Sequence, residues 1–191
     1  MDIIKTKEHV YFEDVKIIQF KRHKDERGYF SETSRAQTPL NLEFKQTNES
    51  FSKANVIRGL HIQQGMGKLV RLVTGKMIDL FLDTRVGSKT YGRIGSYAME
   101  RNPEDGFSEW IWIPDGFAHG MLFEKNSLVE YFCTEAFDQS KDKAINIFSK
   151  DINWEHVEPA LKQKVRLTGY FGGLIMSDKD KRAKHFGEWN K

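Results

Sequence analysis

Residues 58–83 read Arg58-Gly59-Leu60-His61-Ile62-Gln63-Gln64-Gly65-Met66-Gly67-Lys68-Leu69-Val70-Arg71-Leu72-Val73-Thr74-Gly75-Lys76-Met77-Ile78-Asp79-Leu80-Phe81-Leu82-Asp83. In Leu60-His61-Ile62-Gln63 apolar and polar residues alternate, which is the period of a half-buried strand. Leu60 and Ile62 then face one side, and His61 and Gln63 the other. Such a strand can hold an imidazole in a pocket while aliphatic packing seals its back. Lys68 to Val73 and Lys76 to Asp83 are further β-like runs, and Thr74-Gly75 between them reads as a hairpin turn. Asp79 and Asp83 share a strand face with Met77 and Phe81. Buried carboxylates among apolar neighbours must be paired or protonated. Asp79 is therefore a candidate to orient a histidine, and Asp83 to form an internal salt bridge with Arg71 or Arg85.

Outward from this stretch the same grammar continues. Val15 to Phe20, Tyr29 to Glu32, Val56 to Arg58, Tyr91 to Met99, Trp110 to Ile113, Gly120 to Glu124 and Leu128 to Thr134 are short β-like runs. Turn signals such as Asp25-Glu26-Arg27-Gly28 and Pro114-Asp115-Gly116 separate them. Many short strands at roughly ten-residue spacing indicate a sandwich, jelly roll or barrel. Fourteen phenylalanines and four tryptophans favour sheet over helix. Helical signal is weak: Ser177-Asp178-Lys179-Asp180 has the form of a capping box, and Leu161 to Leu167 is ambiguous. Neither repeats nor linkers interrupt the 191 residues, so a single domain spanning 1–191 is expected.

Net charge is +3, from 30 basic and 27 acidic residues. That balance gives no bulk electrostatic case for nucleic acid. The N-terminal residues lack an apolar run of signal-peptide length, and no stretch approaches the ~20 apolar residues of a membrane span. Cys133 is the single cysteine, which forbids an intramolecular disulfide and fits a reducing compartment. A cytoplasmic protein without a membrane partner is the expectation.

Of six histidines, two stand out. His61 lies on the alternating strand. His119 follows the Pro114-Asp115-Gly116 turn, and Gly120 after it permits close approach of a ligand or another backbone. Either ring could equally be a satisfied core histidine. Two histidines at i and i+2 would converge on a metal, but position 63 is Gln63, and Cys133 has no second thiol near it; the spacing supports no metal site. Tyr131 is a proton-donor candidate if its hydroxyl points into a pocket, and a packing residue otherwise. With no glycine-rich phosphate loop, a phosphate site would have to come from scattered Arg and Lys side chains.

Several segments, in this order and spacing, resemble one family. They are Asp25-Glu26-Arg27-Gly28-Tyr29-Phe30-x-Glu32, Gln46-x-Asn48-x-Ser50, Arg58-Gly59-Leu60-His61-x-Gln63, Gly67-Lys68-Leu69-Val70-Arg71, Pro114 to Gly120, Tyr131, and Ser177 to Asp180. Together they cover nearly the whole chain and are similar to the dTDP-4-dehydrorhamnose 3,5-epimerases. The resemblance implies an all-β cupin-type jelly roll (a double-stranded β-helix) with short peripheral helices, a homodimer, and neither metal nor cofactor. It implies a sugar-nucleotide substrate, dTDP-4-dehydro-6-deoxy-D-glucose, inverted at C3 and C5 on the way to L-rhamnose for cell-surface polysaccharide. By the same resemblance His61 is the proton acceptor, Asp180 its hydrogen-bonded partner and Tyr131 the proton donor. Lys68 would hold the developing enolate oxygen. Arg27, Glu32, Gln46, Asn48, Arg58, His119 and Lys179 match substrate contacts, and Phe137 matches an aromatic placed against the thymine.

There are departures. Thr47 stands where the family usually has Asp, Asp142 where a ligand-contacting Glu is expected, and Ala136 where an aromatic is common. Residues 144–154 look shortened. The changes touch the base end and one outer wall and leave the proton-transfer set intact. For Asp180 a helix cap worth roughly 1 kcal/mol is a sufficient explanation by itself, although two carboxylate oxygens can serve both roles. An epimerase of C3 or C5 alone, an epimerase of another nucleotide-linked 4-keto sugar, and a non-catalytic sugar-binding cupin are the competing readings.

Overall fold

The computed structural model describes residues 1–35 and 40–189, and of 168–171 the backbone alone. Two sheets face each other. The larger has six strands: β1 (Ile3–His9), β2 (Phe12–Lys21), β5 (Gln46–Ser52), β7 (Lys68–Thr74), β10 (Phe107–Ile113) and β12 (Ser127–Cys133), in the order β1-β2-β10-β7-β12-β5. The smaller has five: β6 (Ile57–Ile62), β8 (Lys76–Asp83), β9 (Ile94–Glu100), β11 (Phe117–Phe123) and β13 (Lys143–Ala144), in the order β13-β6-β11-β8-β9. A separate hairpin pairs β3 (His23–Asp25) with β4 (Gly28–Phe30). The helices are α1 (Pro159–Phe171), α2 (Asp178–Lys181) and α3 (Phe186–Trp189). This is a cupin-like jelly roll.

Alternation along each strand sorts the apolar residues into three layers. Between the sheets lie Phe12, Val70, Leu72, Met77, Phe81, Ile111, Phe117, Met121, Phe123 and Val129. Phe81 meets Phe12 edge-on at 5.3 Å between ring centroids, and each such buried ring contributes about 1.5–3 kcal/mol. Behind the smaller sheet, Leu60, Ile62, Ile78, Leu80 and Leu82 pack against Ile145, Ile147, Ile152, Trp154 and the α1 residues Leu161 and Val165. Behind the larger sheet, Ile18, Phe20, Leu69, Trp110 and Phe132 form the third cluster. β8 lies inside its sheet, between β11 and β9, and is covered on both faces, which is why Met77 to Asp83 are all buried and read as a nearly continuous apolar run.

Thr74-Gly75 does not close a hairpin. β7 pairs with β10 and β12, whereas β8 pairs with β11 and β9. One residue separates the strands, fewer than the two that a tight hairpin loop needs. The chain instead kinks at Gly75, with φ 98°, and crosses from one sheet to the other. A side chain there would strike the Ser127 Oγ at 2.3 Å. Val70 and Leu72 therefore join Met77 and Phe81 in one core rather than lying beside them in one sheet.

Candidate active site

The apolar filling between the sheets stops short of one end, and there the inward positions become polar. On the larger sheet, β5 carries only polar residues inward. Gln46, Asn48 and Ser50 alternate with the exposed Thr47 and Glu49. Asn48 lies opposite Tyr131, and Gln46 opposite Cys133. Cys133 in turn lies opposite Lys68. On the smaller sheet His61 and His119 are cross-strand partners. The two polar faces enclose a cavity with two lobes, of about 480 and 270 Å³, and His61, Lys68 and Tyr131 line both. The first lobe adds Arg58, His119, Met121, Met176 and Asp180. The second adds Gln46, Asn48, Gln63, Cys133, Phe137 and Asp142.

Arg58 reaches this face because the β6–β11 pairing slips between His119 and Met121. In a regular strand, residues 58 and 61 would point to opposite sides. Gly59, with φ 96°, sits at the slip; a Cβ there would lie 2.5 Å from the carbonyl oxygen of His119. Gly120 mirrors it, since its Cβ would meet the Arg58 carbonyl oxygen at 2.8 Å. Leu60 and Ile62 pack into the rear core while His61 faces forward, as the alternation predicts. The Arg58 guanidinium is steadied by the Ser52 hydroxyl at 2.8 Å and the Phe51 carbonyl at 3.2 Å.

The His61 Nε2 lies 2.6 Å from Asp180 Oδ1. Asp180 is buried and also accepts from the Gly59 N–H at 3.4 Å. Burial opposes its ionisation, but the His61 contact and the Gly59 bond outweigh this and hold the carboxyl below the usual aspartate range. An ionised carboxylate only accepts. Nε2 therefore carries the shared hydrogen, and in the neutral ring Nδ1 is the lone-pair nitrogen. The cap expected at Ser177 also forms: its hydroxyl accepts from the Asp180 N–H at 3.1 Å. The reciprocal half of the capping box does not, because the Asp180 carboxylate turns to His61.

Burial lowers Lys68 below the ordinary lysine range, with Cys133, Asp142 and Asp79 drawing it back. Tyr131 is raised by burial first and Cys133 second, against Arg58, so its hydroxyl keeps its proton at neutral pH. His119 Nε2 meets Asp79 Oδ1 at 2.9 Å, which makes Asp79 the histidine partner the sequence suggested. Asp83 pairs with Arg85 at 2.8 Å, and Arg71 pairs instead with Glu130 at 2.6 Å.

Other expected contacts divide. Gln46 Oε1 accepts from the Phe137 N–H at 2.7 Å, and its amide donates to Asn48 at 2.8 Å. Gln63 donates to the Ala136 carbonyl and accepts from the Asp138 N–H, both at 2.8 Å. The two glutamines thus brace the segment that presents Phe137, a ring more than half exposed. That role of Gln63 was hidden from sequence because both of its partners are backbone atoms. Lys179 and Asp142 form an ion pair with each other at the rim. Thr47 points away from the cavity. Arg27 and Glu32 line neither lobe: Arg27 pairs with Asp25 at 2.6 Å on an exposed hairpin, and Glu32 holds Arg35 and the N-terminal amine. Among the described residues, no three His, Cys, Asp or Glu side chains converge as a metal site would need, and no helix is long and apolar enough to cross a membrane.

The sequence pattern of the family described as dTDP-4-dehydrorhamnose 3,5-epimerase matches residues 9–188. The chain belongs to this family of isomerases. It is 34% identical to the dTDP-4-dehydrorhamnose 3,5-epimerase of Methanothermobacter thermautotrophicus, over 90% of this chain and 89% of that one. Its fold matches the dTDP-6-deoxy-D-glucose-3,5-epimerase of Legionella pneumophila, solved with dTDP-4-keto-L-rhamnose (TM-score 0.77, 29% identity, 96% and 93% of the two chains). It also matches the rmlC epimerase of Mycobacterium tuberculosis (TM-score 0.77, 28% identity, 98% and 90% of the two chains).

Proposed function

We propose that this protein epimerises dTDP-4-dehydro-6-deoxy-D-glucose at C3 and C5, giving dTDP-4-dehydro-L-rhamnose. The observation that supports the reading is that an imidazole and a phenol enter one cavity from opposite sheets. His61 and Asp180 reach the cavity from one side, and Tyr131 and Lys68 from the other. A ketone at C4 acidifies the hydrogens on C3 and C5 by delocalising the carbanion into an enolate. Inversion then requires proton removal on one ring face and delivery on the other.

In this scheme His61 Nδ1 takes the proton, and the resulting imidazolium is stabilised by Asp180. An imidazole can take up and give back a proton near neutral pH, which suits it to this role. The Lys68 ammonium faces the developing enolate oxygen, where poor solvation makes its charge count most. The Tyr131 hydroxyl delivers the proton from the far face. The hydrogen leaves and returns as a proton, so the scheme calls for no redox cofactor. Arg58 grips the diphosphate at the mouth of the first lobe, Phe137 stacks on the thymine at the second, and the Asp142–Lys179 pair closes the rim beside it.

The protein works as a homodimer in this reading. The β3–β4 hairpin holds Arg27, Tyr29 and Phe30 in solvent, away from this chain's own cavity. Arg27 and Glu32 would then serve a second copy's diphosphate. A cytoplasmic location follows from the nucleotide-linked substrate.

Proton NMR of the substrate with the protein in heavy water tests the proposal. Deuterium is expected at both C3 and C5 of the product. Deuterium at one carbon alone would make the protein a mono-epimerase, and its absence from both would leave a sugar-binding cupin.

A further inference from the structure

We infer that His119 presents a protonated Nδ1 to negative charge on the substrate, and that Asp79 is the positioning residue that sets this state from beneath the cavity. The inference rests on the functional reading above and adds a second imidazole to it.

His61 and His119 stand directly opposite each other on β6 and β11, and both line the cavity. Each turns its Nε2 to a buried aspartate, Asp180 or Asp79. The two carboxylates are held differently. Asp180 accepts at both oxygens, one bond coming from the Gly59 N–H. Asp79 is fully buried, is bonded through Oδ1 to His119, and has no hydrogen-bond partner for Oδ2 among the described residues. Its neighbours on the same strand face are Met77 and Phe81. A carboxylate left half satisfied among such neighbours costs stability. A merely structural position would be better filled by an apolar side chain.

A buried pair in these surroundings is favoured when it carries no net charge. Burial pushes Asp79 toward its protonated form, against the opposing influence of His119 and Lys68. The neutral pair can be written with the shared proton on Oδ1 or on Nε2. In both forms His119 Nδ1 carries a hydrogen, and that nitrogen has no hydrogen-bond partner among the described residues. Asp180 has two donors and holds its charge, so in the neutral imidazole of His61 the bare nitrogen is Nδ1. The two pairs therefore occupy opposite protonation states on one sheet face, one a base and the other a donor. Environments that drive like groups apart in this way mark acid and base roles. Lys68 and His119 would together face the anionic oxygen, while His61 works on carbon.

Nitrogen-15 NMR of the ligand-free wild-type protein at neutral pH tests this without reference to activity. The expected spectrum has a protonated Nδ1 on His119 and a bare Nδ1 on His61; a bare Nδ1 on His119 would overturn the inference. Kinetics give a second test. Asp79→Leu removes the partner, and kcat should fall ~10–100-fold with KM moving less than about threefold. Asp79→Asn can still donate its amide N–H to Nε2, and should restore part of kcat. An Asp79→Leu protein with kcat within about twofold of wild type would show Asp79 to be structural only. Failure of the wild-type protein to exchange deuterium would strike the epimerase reading, and the imidazole spectrum would still decide the protonation states.

Discussion

The two sheets share one interior but are built to different rules. The smaller sheet brings both imidazoles on β6 and β11, strands packed behind by Leu60, Ile62, Leu80 and Leu82 and by the layer from Ile145 to Val165. The larger brings Lys68, Tyr131, Cys133 and the polar edge strand β5, whose Gln46 and Asn48 bond along the strand and across to Cys133. A base must be aimed, so the imidazole proposed for that role stands on a strand paired along both edges and sealed behind by aliphatic packing. Gln46 and Asn48, proposed to meet the nucleotide, stand on an edge strand, where polar groups are cheaper to keep. The two sheets should therefore tolerate change differently: substitutions of the imidazoles on the smaller should strike turnover and those of Arg58 binding, while those on the larger should divide between turnover, binding and stability.

The largest effect should come from the smaller sheet. His61→Ala is expected to lower kcat by at least ~10²-fold, the low end for a general base. Turnover near normal would remove the imidazole from proton transfer and break the assignment of base and acid to opposite sheets.

Lys68→Met sharpens the comparison from the other side, because activity and stability should move apart. Loss of the ammonium at the enolate oxygen should cost ~10²-fold or more in kcat. Stability should hold or rise near neutral pH. The lysine's folded pKa lies below its unfolded one, so the folded state binds the proton less tightly. The cost of charging it is present below the folded pKa and vanishes as pH rises through the unfolded value of ~10.4. Urea unfolding between pH 7 and 10 should show wild-type stability gaining on that of the variant; parallel curves would mean that Lys68 is not desolvated.

The smallest effect on stability belongs to the exposed hairpin. Arg27→Ala breaks a surface pair with Asp25 and should change unfolding free energy by less than ~1 kcal/mol. Its KM should still rise if a second copy receives the hairpin, and mixing it with a His61→Ala chain should then recover activity through hybrid dimers. An unchanged KM would confine the site to one chain.

Much of this was legible in the order of the residues. Alternation placed His61 forward and Leu60 and Ile62 behind, because a strand's period of two leaves no other arrangement. Asp79 announced a partner, since a carboxylate between Met77 and Phe81 has to be neutralised. The missed elements have physical causes. β5 was not recognised as a strand because Gln46 to Ser52 includes a single large apolar residue, Phe51, which faces solvent; an edge strand with a wet inner face has no core to write into its sequence. The crossing at Thr74-Gly75 looked like a hairpin because both flanking runs are strands, and local sequence does not say which strand each will pair with.

The sequence by itself determined that the chain is a stack of short strands, which residues face inward on strands with a regular apolar alternation such as that of His61, and that a His–Asp–Lys–Tyr set matching one epimerase family is present. The strands and their faces follow from local periodicity; the set of four follows from the resemblance to one family. Only the tertiary structure decided that β7 and β8 part into different sheets, that a register slip brings Arg58 beside His61, that Asp180 crosses 119 residues to reach its imidazole, and that Arg27 stays out of its own chain's cavity. Pairing between distant strands is selected by how all the buried faces pack at once, and no short window of sequence contains that sum.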